Sequence, residues 1–320
     1  MPDDSRFEQL DQAIDAMLAG AAPPAEEPEL HALVDVCDRL RHLPDEDFRN
    51  RLKSELQRRA TMSPAMHAYR RPGFRTVTPC LIVPGAEQLV DFVKTTFDAE
   101  EVSRQTVSGE FYAELRLGSS MLMIVGGGAV EHGIRTAALH VYVPDCDAVY
   151  RRAIEAGATS MGEPADRPYG ERSGFVKDAA GNNWYIATLP GERYAPETGD
   201  LMPYLHPASA PKYIEFLERA FGAQELSRFG NAGRVMHATV RVGDSVIEMG
   251  EPDTGWPHLP TALHLYVEDV DAVYATALAA GATSFRPPAD QPNGEDRSAV
   301  IQDPFGFVWF PATHRGSRTR

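Results

Sequence analysis

The sequence predicts an α+β protein with two tandem domains, each built from two βαβββ modules that form a curved sheet around a cleft, after an N-terminal helical extension. The first observation behind this prediction is a repeat. ALHVYVPDCDAVYRRAIEAGATS, from Ala138, returns as ALHLYVEDVDAVYATALAAGATS from Ala262, which places His140 and His264 124 positions apart. This period is much longer than that of a solenoid repeat, so the repeated unit is a whole domain. The second observation is that strand and helix patterns alternate twice within each copy.

The elements follow in the same order in both copies. In the first, TVTPCLIV predicts a strand, AEQLVDFVKTTF a helix with one apolar face, and FYAELRLG and SSMLMIVG two strands joined at a Gly-Ser turn. After the glycines at 126–128 the order restarts with the strand ALHVYV and the helix CDAVYRRAIEAG. SGFVKD and NNWYIAT then predict a hairpin. The predicted domains span residues 73–190 and 198–314.

Residues 1–65 have a different character from the repeats. FEQLDQAIDAML has the spacing of an amphipathic helix, and the prolines of AAPPAEEPE interrupt it. The segment is therefore predicted to be helical. Two roles stay open for it: an arm that binds a partner or a second copy, or a helical layer that packs on its own domains.

Charge and cysteine content limit the function classes. A net charge of −15 at pH 7 disfavours nucleic acid as a partner. The acidic start of the chain and the absence of long apolar runs favour a cytoplasmic protein without membrane contact. Cys37, Cys80 and Cys146 are too scattered to form a disulfide framework, so we expect them to be reduced. We expect a monomer or a homodimer with a small-molecule ligand.

Several motifs together resemble the vicinal oxygen chelate superfamily, which includes glyoxalase I, bleomycin-resistance proteins, fosfomycin-resistance enzymes and extradiol dioxygenases. They are the TPCLIV and MPYLHP openings, HATVRVGDSVIEMG, the YVEDVDAVY helix entry, the PADQP loop and the DPFGFVW hairpin. The sequences of these motifs are most similar to those of the PhnB-like branch, and the resemblance covers about three quarters of the chain. It implies the tandem glyoxalase-like fold. It leaves the activity open, because this fold serves isomerases, transferases, dioxygenases and drug binders.

The resemblance also implies where a metal would be held, on the first and last strands of each module. Alignment by motif places four residues of each domain at these positions: Thr78, Met123, Ala138 and Tyr185, then Met202, Glu248, Ala262 and Phe310. One carboxylate does not hold a divalent metal, so no cofactor is expected. A register shift of two residues would keep the same sheet face. His206, Glu248 and His264 would then form a two-His, one-carboxylate metal set, which is the alternative.

Glu248 lies in the otherwise apolar strand SVIEMG, where a buried carboxylate needs a partner. The candidates are a metal, a basic or hydrogen-bonding ligand, or His206 or His264; the alternative is that Glu248 points outward to solvent and has no role. A histidine partner would make a general base without a metal, so Glu248 and His264 are the candidate catalytic residues.

The predicted ligand contacts are apolar and aromatic. In the first domain they are Thr78, Cys80, Met121, Met123, His140, Tyr142 and Tyr185; in the second, Met202, Tyr204, His206, Tyr266 and Phe310. The sequence therefore favours a metal-independent protein that binds a small apolar or aromatic molecule. The alternatives are a metal-dependent isomerase, lyase or dioxygenase with one active centre in the second domain, and an interaction scaffold that uses the N-terminal helices.

Overall fold

The computed structural model of the chain describes residues 69–189, 199–231, 233–292 and 294–316. The helical extension predicted for residues 1–65 lies outside the described residues. None of the helices in the described part of the chain is long and apolar enough to cross a membrane.

The first repeat contains two βαβββ modules, as predicted. Module 1 consists of β1 (Val77–Ile82), α1 (Ala86–Phe97), β2 (Glu100–Val107), β3 (Glu110–Leu117) and β4 (Ser120–Gly127). Module 2 consists of β5 (Ala138–Tyr142), α2 (Cys146–Glu155), β6 (Thr159–Asp166), β7 (Arg172–Lys177) and β8 (Asn183–Thr188).

The second repeat has the same order of elements. Module 3 consists of β9 (Leu201–Leu205), α3 (Ala210–Phe221), β10 (Gln224–Asn231), β11 (Arg234–Val242) and β12 (Ser245–Met249). Module 4 consists of β13 (Ala262–Tyr266), α4 (Val270–Ala279), β14 (Thr283–Asp290), β15 (Asp296–Gln302) and β16 (Val308–His314). The α+β fold with two tandem glyoxalase-like domains is thereby confirmed.

Local hydrogen bonds repeat between the copies and explain why the same motifs recur. The Asp145 side chain caps α2 through the backbone N–H of Ala148 at 3.0 Å, and Asp269 caps α4 in the same way. In the last hairpin of the first repeat, Trp184 Nε1 donates to Asp178 Oδ2 at 2.8 Å across a turn at Gly181, whose φ of 95° favours glycine. The hydrogen bond between the indole and the carboxylate therefore stabilises the turn.

The strands form two eight-stranded curved sheets, and each sheet combines modules from different repeats. One sheet has the order β14-β15-β16-β13-β1-β4-β3-β2, and the other β10-β11-β12-β9-β5-β8-β7-β6. Modules 1 and 4 thus share a sheet, joined by antiparallel pairing of β1 with β13. Modules 2 and 3 share the other, joined by β5 and β9. The expectation that the two modules of one repeat line one cleft is therefore corrected.

Each repeat nevertheless keeps its own hydrophobic core beneath its helices. In the first repeat, α1 packs against module 2, with the Phe97 and Trp184 ring centroids 4.8 Å apart. In the second, the Phe221 and Trp309 centroids lie 4.6 Å apart. The helices hold the modules of one repeat together, and the first strands join the two repeats. Each sheet consequently has a concave face built from both repeats.

Candidate functional site

A cavity of about 760 Å³ lies on the concave face of modules 2 and 3, which we call the open cleft. Its lining comes from both modules and from the segment between β12 and β13. The lining residues are His140, Tyr142, Tyr169, Glu171, Ser173, Phe175, Tyr185, Tyr204, His206, Phe229, Arg234, Met236, His237, Thr239, Glu248, Gly250, Glu251, Asp253 and Trp256. A volume of this size is typical of small-molecule sites.

The centre of the open cleft is a buried histidine–carboxylate pair. His140 Nδ1 lies 2.7 Å from Glu248 Oε2, and the two residues are 8% and 4% exposed. Because an ionised carboxylate can only accept, the imidazole Nδ1 carries the hydrogen and donates it. The pair joins β5 to β12, so each repeat supplies one partner. Glu248 has a histidine partner, and that partner is His140.

A second carboxylate lies on the other side of the imidazole. Glu171, in the turn before β7, has its Oε2 3.7 Å from His140 Nε2. Its Oε1 accepts a hydrogen bond of 2.6 Å from the Tyr142 hydroxyl. His140 Nε2 itself has no hydrogen-bond partner although it is buried. The open cleft therefore contains an unsatisfied polar atom among aromatic side chains.

The pair shifts the pKa of both partners. Burial lowers the pKa of His140, but the charge and hydrogen bond of Glu248 and the charge of Glu171 outweigh it and raise the pKa above its ordinary value. Burial raises the pKa of Glu248, but His140, and to a lesser extent His237, bring it below its ordinary value. Both shifts favour the charged pair over the neutral one.

Aromatic rings enclose the remaining walls. The ring centroid of Tyr185 is 5.0 Å from that of Tyr204 and 5.0 Å from that of Trp256, and Phe175 packs edge-on against both Tyr185 and Trp256. Beside Tyr204, burial lowers the pKa of His206 to about 4, so its imidazole is neutral at pH 7. The wall offers flat apolar surfaces with hydroxyl groups at their edges.

Three apolar side chains at the mouth of the cavity are exposed to solvent. Tyr169 is 69% exposed, Phe229 65% and Met236 47%. They come from the β6–β7 turn and from β10 and β11. Large apolar side chains grouped at the mouth of a cavity favour contact with a ligand or a partner.

The strand pairing changes the residues assigned to the implied metal positions. On the first strand of modules 2 and 3, each position moves by two residues. Tyr204 pairs with Glu248, and His140 pairs with Tyr185. The positions predicted at Ala138 and Met202 are therefore occupied by His140 and Tyr204. By the same pairing, modules 1 and 4 place Cys80 beside Met123 and His264 beside Phe310.

The predicted ligand contacts divide between the two sheets. His140, Tyr142, Tyr185, Tyr204, His206 and Glu248 line the open cleft, whereas Thr78, Cys80, Met121, Met123, His264, Tyr266 and Phe310 lie on modules 1 and 4. The single first cleft predicted from Thr78 to Tyr185 is thus wrong, because modules 1 and 2 are in different sheets. Met202, at 3% exposure, packs with Tyr142 and Ala187 and does not line the cavity.

The alternative metal set is also corrected. His264 lies on β13, in the other sheet from His206 and Glu248, so the three cannot share one ion. For the same reason His264 is not the catalytic partner of Glu248. Across the described residues, no group of three or more His, Cys, Asp or Glu side chains is arranged to hold a metal ion.

Sequence reasoning missed Glu171 and Trp256. Glu171 lies 125 positions before Asp296, and the motifs Glu-Arg-Ser and Asp-Arg-Ser that begin at these residues are a signal that could have identified it. Trp256 lies in an irregular segment without periodicity, and its role depends on a contact with module 2 that no local pattern encodes.

The equivalent face of modules 1 and 4, which we call the packed cleft, contains a side chain cation of the protein itself. Arg71 donates two hydrogen bonds to Glu114, one of them at 3.0 Å, and its guanidinium carbon lies 5.0 Å from the centroid of the Phe74 ring. Phe74 packs with Met121 and Tyr266, which are nearly fully buried. Burial and the charge of Arg71 lower the pKa of His264 to about 3.

Comparison with known proteins agrees with this architecture. The sequence pattern of the Glyoxalase/Bleomycin resistance protein/Dioxygenase superfamily matches residues 75–186 and 207–309, and the chain belongs to that superfamily. An uncharacterized protein of Mycobacterium bovis is 36% identical over 121 residues, which cover 34% of this chain and 79% of the relative.

Two solved structures share the fold across both repeats. Glyoxalase I from Zea mays superposes with a TM-score of 0.60 at 15% identity, covering 74% of this chain and 92% of that one. A putative dioxygenase from Bacillus subtilis gives a TM-score of 0.52 at 16% identity, covering 75% and 85%. At such identities the likeness extends to the fold alone.

Proposed function

We propose that this protein binds a small apolar or aromatic molecule in the open cleft, and that it needs no metal ion to do so. The observation that carries the proposal is a cavity of about 760 Å³ whose walls are tyrosine, tryptophan and phenylalanine rings around the buried His140–Glu248 pair. Such a combination of flat apolar walls and few polar atoms suits a small ligand. Membership of the PhnB-like branch, a cytoplasmic location and a monomeric or homodimeric state stay predictions.

The donor atoms at the four implied metal positions support metal independence. His140 Nδ1 is hydrogen-bonded to Glu248 Oε2, and the carboxylates of Glu248 and Glu171 raise the pKa of His140, which favours the imidazolium over the neutral imidazole that a metal ion needs. The other two positions are Tyr185 and Tyr204, and burial is the main cause that raises the pKa of both phenols. A neutral phenol is a poor ligand for zinc, iron or manganese. The residues present therefore do not fit a divalent metal.

The test is a titration of chelator-treated protein with 2-naphthamide, 2-naphthamidine and 2-naphthoate. Tryptophan fluorescence and calorimetry measure the binding. Trp256 is the reporter, since Trp184 and Trp309 are fully buried elsewhere. At least one probe is expected to bind with 1:1 stoichiometry, and added zinc, manganese or iron(II) should leave its affinity unchanged. Binding of none of the three, or binding only with metal, would overturn the proposal.

A matched pair of variants locates the site. Tyr204→Ala removes one wall of the open cleft and is expected to weaken binding about tenfold or more, because stacking surface is lost. Cys80→Ala changes the equivalent position of the packed cleft and should leave the affinity unchanged. Equal effects of the two variants would contradict binding in the open cleft.

A second function, metal-free proton transfer, is favoured by the His140–Glu248 pair. Glu248 orients the imidazole and holds the hydrogen on Nδ1, which directs the unpartnered Nε2 away from Glu248. The test measures hydrogen–deuterium exchange at the methyl group of 2-acetylnaphthalene in D₂O. Exchange above the buffer rate that His140→Gln abolishes would support an enzyme, and exchange at the buffer rate would leave binding alone.

The scaffold alternative concerns residues 1–65, which lie outside the described residues. It stays a prediction that truncation of this segment tests: loss of a protein partner with unchanged probe binding is its expected result.

A further inference from the structure

The open cleft contains more negative charge than its own cations offset. Asp253 is paired with Arg234 at 2.9 Å, and both carboxylate oxygens of Glu251 accept backbone N–H groups, at 3.1 and 3.3 Å. Glu171 and Glu248 have neither kind of partner: Glu171 accepts from the Tyr142 hydroxyl and lies near the imidazole of His140, and Glu248 is hydrogen-bonded to that imidazole. Two carboxylates against one imidazole leave at least one negative charge without a cationic side chain. Such a charge on a buried carboxylate among aromatic rings is costly unless a cation is supplied.

No arginine or lysine of the cavity is free to supply that cation. Among the described residues that line it, Arg234 is the one arginine and there is no lysine. Arg234 Nη2 donates one hydrogen bond of 2.7 Å to the Glu251 carbonyl oxygen and another to the Asp253 carboxylate. The guanidinium is therefore held at the β11 end of the cleft by other acceptors.

In the packed cleft, a buried carboxylate is paired with a cationic side chain of the protein itself. There a buried carboxylate, Glu114, binds the guanidinium of Arg71, which also lies 5.0 Å from the Phe74 ring centroid. The charge of Arg71 acts to lower the pKa of His264 and of Tyr266, which are the counterparts of His140 and Tyr142. The planar guanidinium of Arg71 thus lies between a carboxylate and an aromatic ring on the concave face of modules 1 and 4. The equivalent face of modules 2 and 3 has a cavity.

We propose that the ligand of the open cleft is an organic cation, an amidinium, guanidinium or ammonium group on an aromatic body, which takes the place that Arg71 takes in the packed cleft. The inference rests on the proposed function and specifies its ligand class. Glu171 and Glu248 bind the cationic group, and the rings of Tyr185, Tyr204 and Trp256 contact the aromatic body. Carboxylates and aromatic faces both attract a cation and disfavour an anion.

The experiment compares three probes of nearly equal shape that differ in charge: 2-naphthamidine (cation), 2-naphthamide (neutral) and 2-naphthoate (anion). Dissociation constants are measured for the full-length protein at pH 7.5 by calorimetry. The cation is expected to bind at least about tenfold more tightly than the amide, because it adds a charge-assisted contact and a cation–π contact. The anion is expected to bind most weakly.

Variants assign the effect to the two carboxylates. Glu171→Gln and Glu248→Gln should each weaken the amidine about tenfold and leave the amide nearly unchanged, since only the charge is removed. Glu114→Gln, in the packed cleft, is the matched control and should change neither affinity. Thermal unfolding of each variant establishes that it is folded at the assay temperature.

The outcomes separate this inference from the proposed function. If the amide or the naphthoate binds as tightly as the amidine, the protein is still a small-molecule binder but the cationic ligand class is wrong. If the amidine is preferred and neither Gln variant weakens it, the assignment to Glu171 and Glu248 is wrong. Binding of none of the three probes overturns both proposals.

Discussion

The open and packed clefts have equivalent strands, yet they differ in what occupies the concave face. In the open cleft, His140 has a carboxylate partner in Glu248 and a cavity in front of it. In the packed cleft, the equivalent His264 has Met123 in place of Glu248, its Nδ1 has no hydrogen-bond partner, and Arg71 lies nearby. Opposite environments of one residue type give opposite pKa shifts, upward for His140 and downward for His264.

This difference shows that equivalent faces of a repeated fold can be filled in one sheet and left open in the other. The packed cleft joins the repeats through buried contacts: Cys80, Met121 and Tyr266 are each at most 4% exposed. The open cleft retains empty volume and polar atoms that the chain itself does not satisfy. Interiors are normally close-packed and their polar groups paired. His264 Nδ1 is unpaired in the packed cleft as well, so it is the combination of unpaired polar atoms with a cavity that identifies the open cleft as the candidate site.

The largest expected effect comes from removing the internal cation. Arg71→Ala leaves Glu114, which is 8% exposed, with Ser103 as its remaining side-chain partner. We expect a loss of about 3 kcal/mol in the free energy of unfolding, the usual cost of breaking a buried ion pair. Chemical denaturation measures it. The control is Arg104→Ala, which breaks an exposed pair with Glu101 and should cost less than about 1 kcal/mol; equal losses would contradict the comparison.

The architecture within each repeat could be predicted from the sequence, because the 124-residue period and the local strand and helix patterns are encoded in neighbouring residues. The pairing of modules could not. The strands β1, β5, β9 and β13 are all short and apolar, so backbone hydrogen bonding alone permits either partner. Contacts between residues far apart in the sequence accompany it: at the start of β1, the Thr76 N–H donates to Asp244 at 2.8 Å and the Val77 N–H donates to Ser245 at 2.8 Å.

The candidate site was predictable in part. The alternation of strand side chains placed His140, Tyr204 and Glu248 on the concave faces. The pairing error then made His206 or His264 the candidate histidine partner of Glu248, whereas the structure has His140 there. Glu171 and Trp256 lie in segments without regular periodicity, so their approach to the cavity depends on the tertiary fold and not on local pattern.

A second prediction compares thiol reactivity at equivalent positions of the two clefts. Burial raises the pKa of the Cys80 thiol to about 12, so the thiolate is rare at pH 8. Tyr204→Cys places a thiol in the open cleft. In a background with Cys37→Ser and Cys146→Ser, the new thiol is expected to react with 4,4′-dithiodipyridine at least about a hundredfold faster than Cys80. Similar rates would mean that the packed cleft is as accessible as the open one.

The third prediction uses the pH dependence of stability. His264 has a folded pKa of about 3, below the ordinary value of about 6.5. The unfolded chain therefore binds a proton below pH 6.5 that the folded chain does not, and stability is lost as the pH falls. Between pH 7 and pH 5 this residue should cost about 2 kcal/mol.

His264→Gln removes that contribution, so the variant should lose about 2 kcal/mol less than the wild type when the pH falls from 7 to 5. Denaturant unfolding at both pH values gives the difference. His140 has the opposite sign: its raised folded pKa stabilises the protein at low pH, and that contribution is lost as the pH rises through the folded pKa. An unchanged pH slope in His264→Gln would contradict the burial of a neutral imidazole.

The smallest expected change in stability comes from exchanging the partners of the two histidines. Glu248→Gln keeps a hydrogen-bond acceptor near His140 Nδ1 and should cost about 1 kcal/mol, but it removes the charge that raises the pKa of His140. The reciprocal Met123→Glu supplies a carboxylate to the packed cleft and should raise the pKa of His264 from about 3. NMR titration of the imidazole resonances follows both. If neither pKa moves, the difference between the clefts does not come from Met123 and Glu248, and the internal cation Arg71 would have to account for it alone.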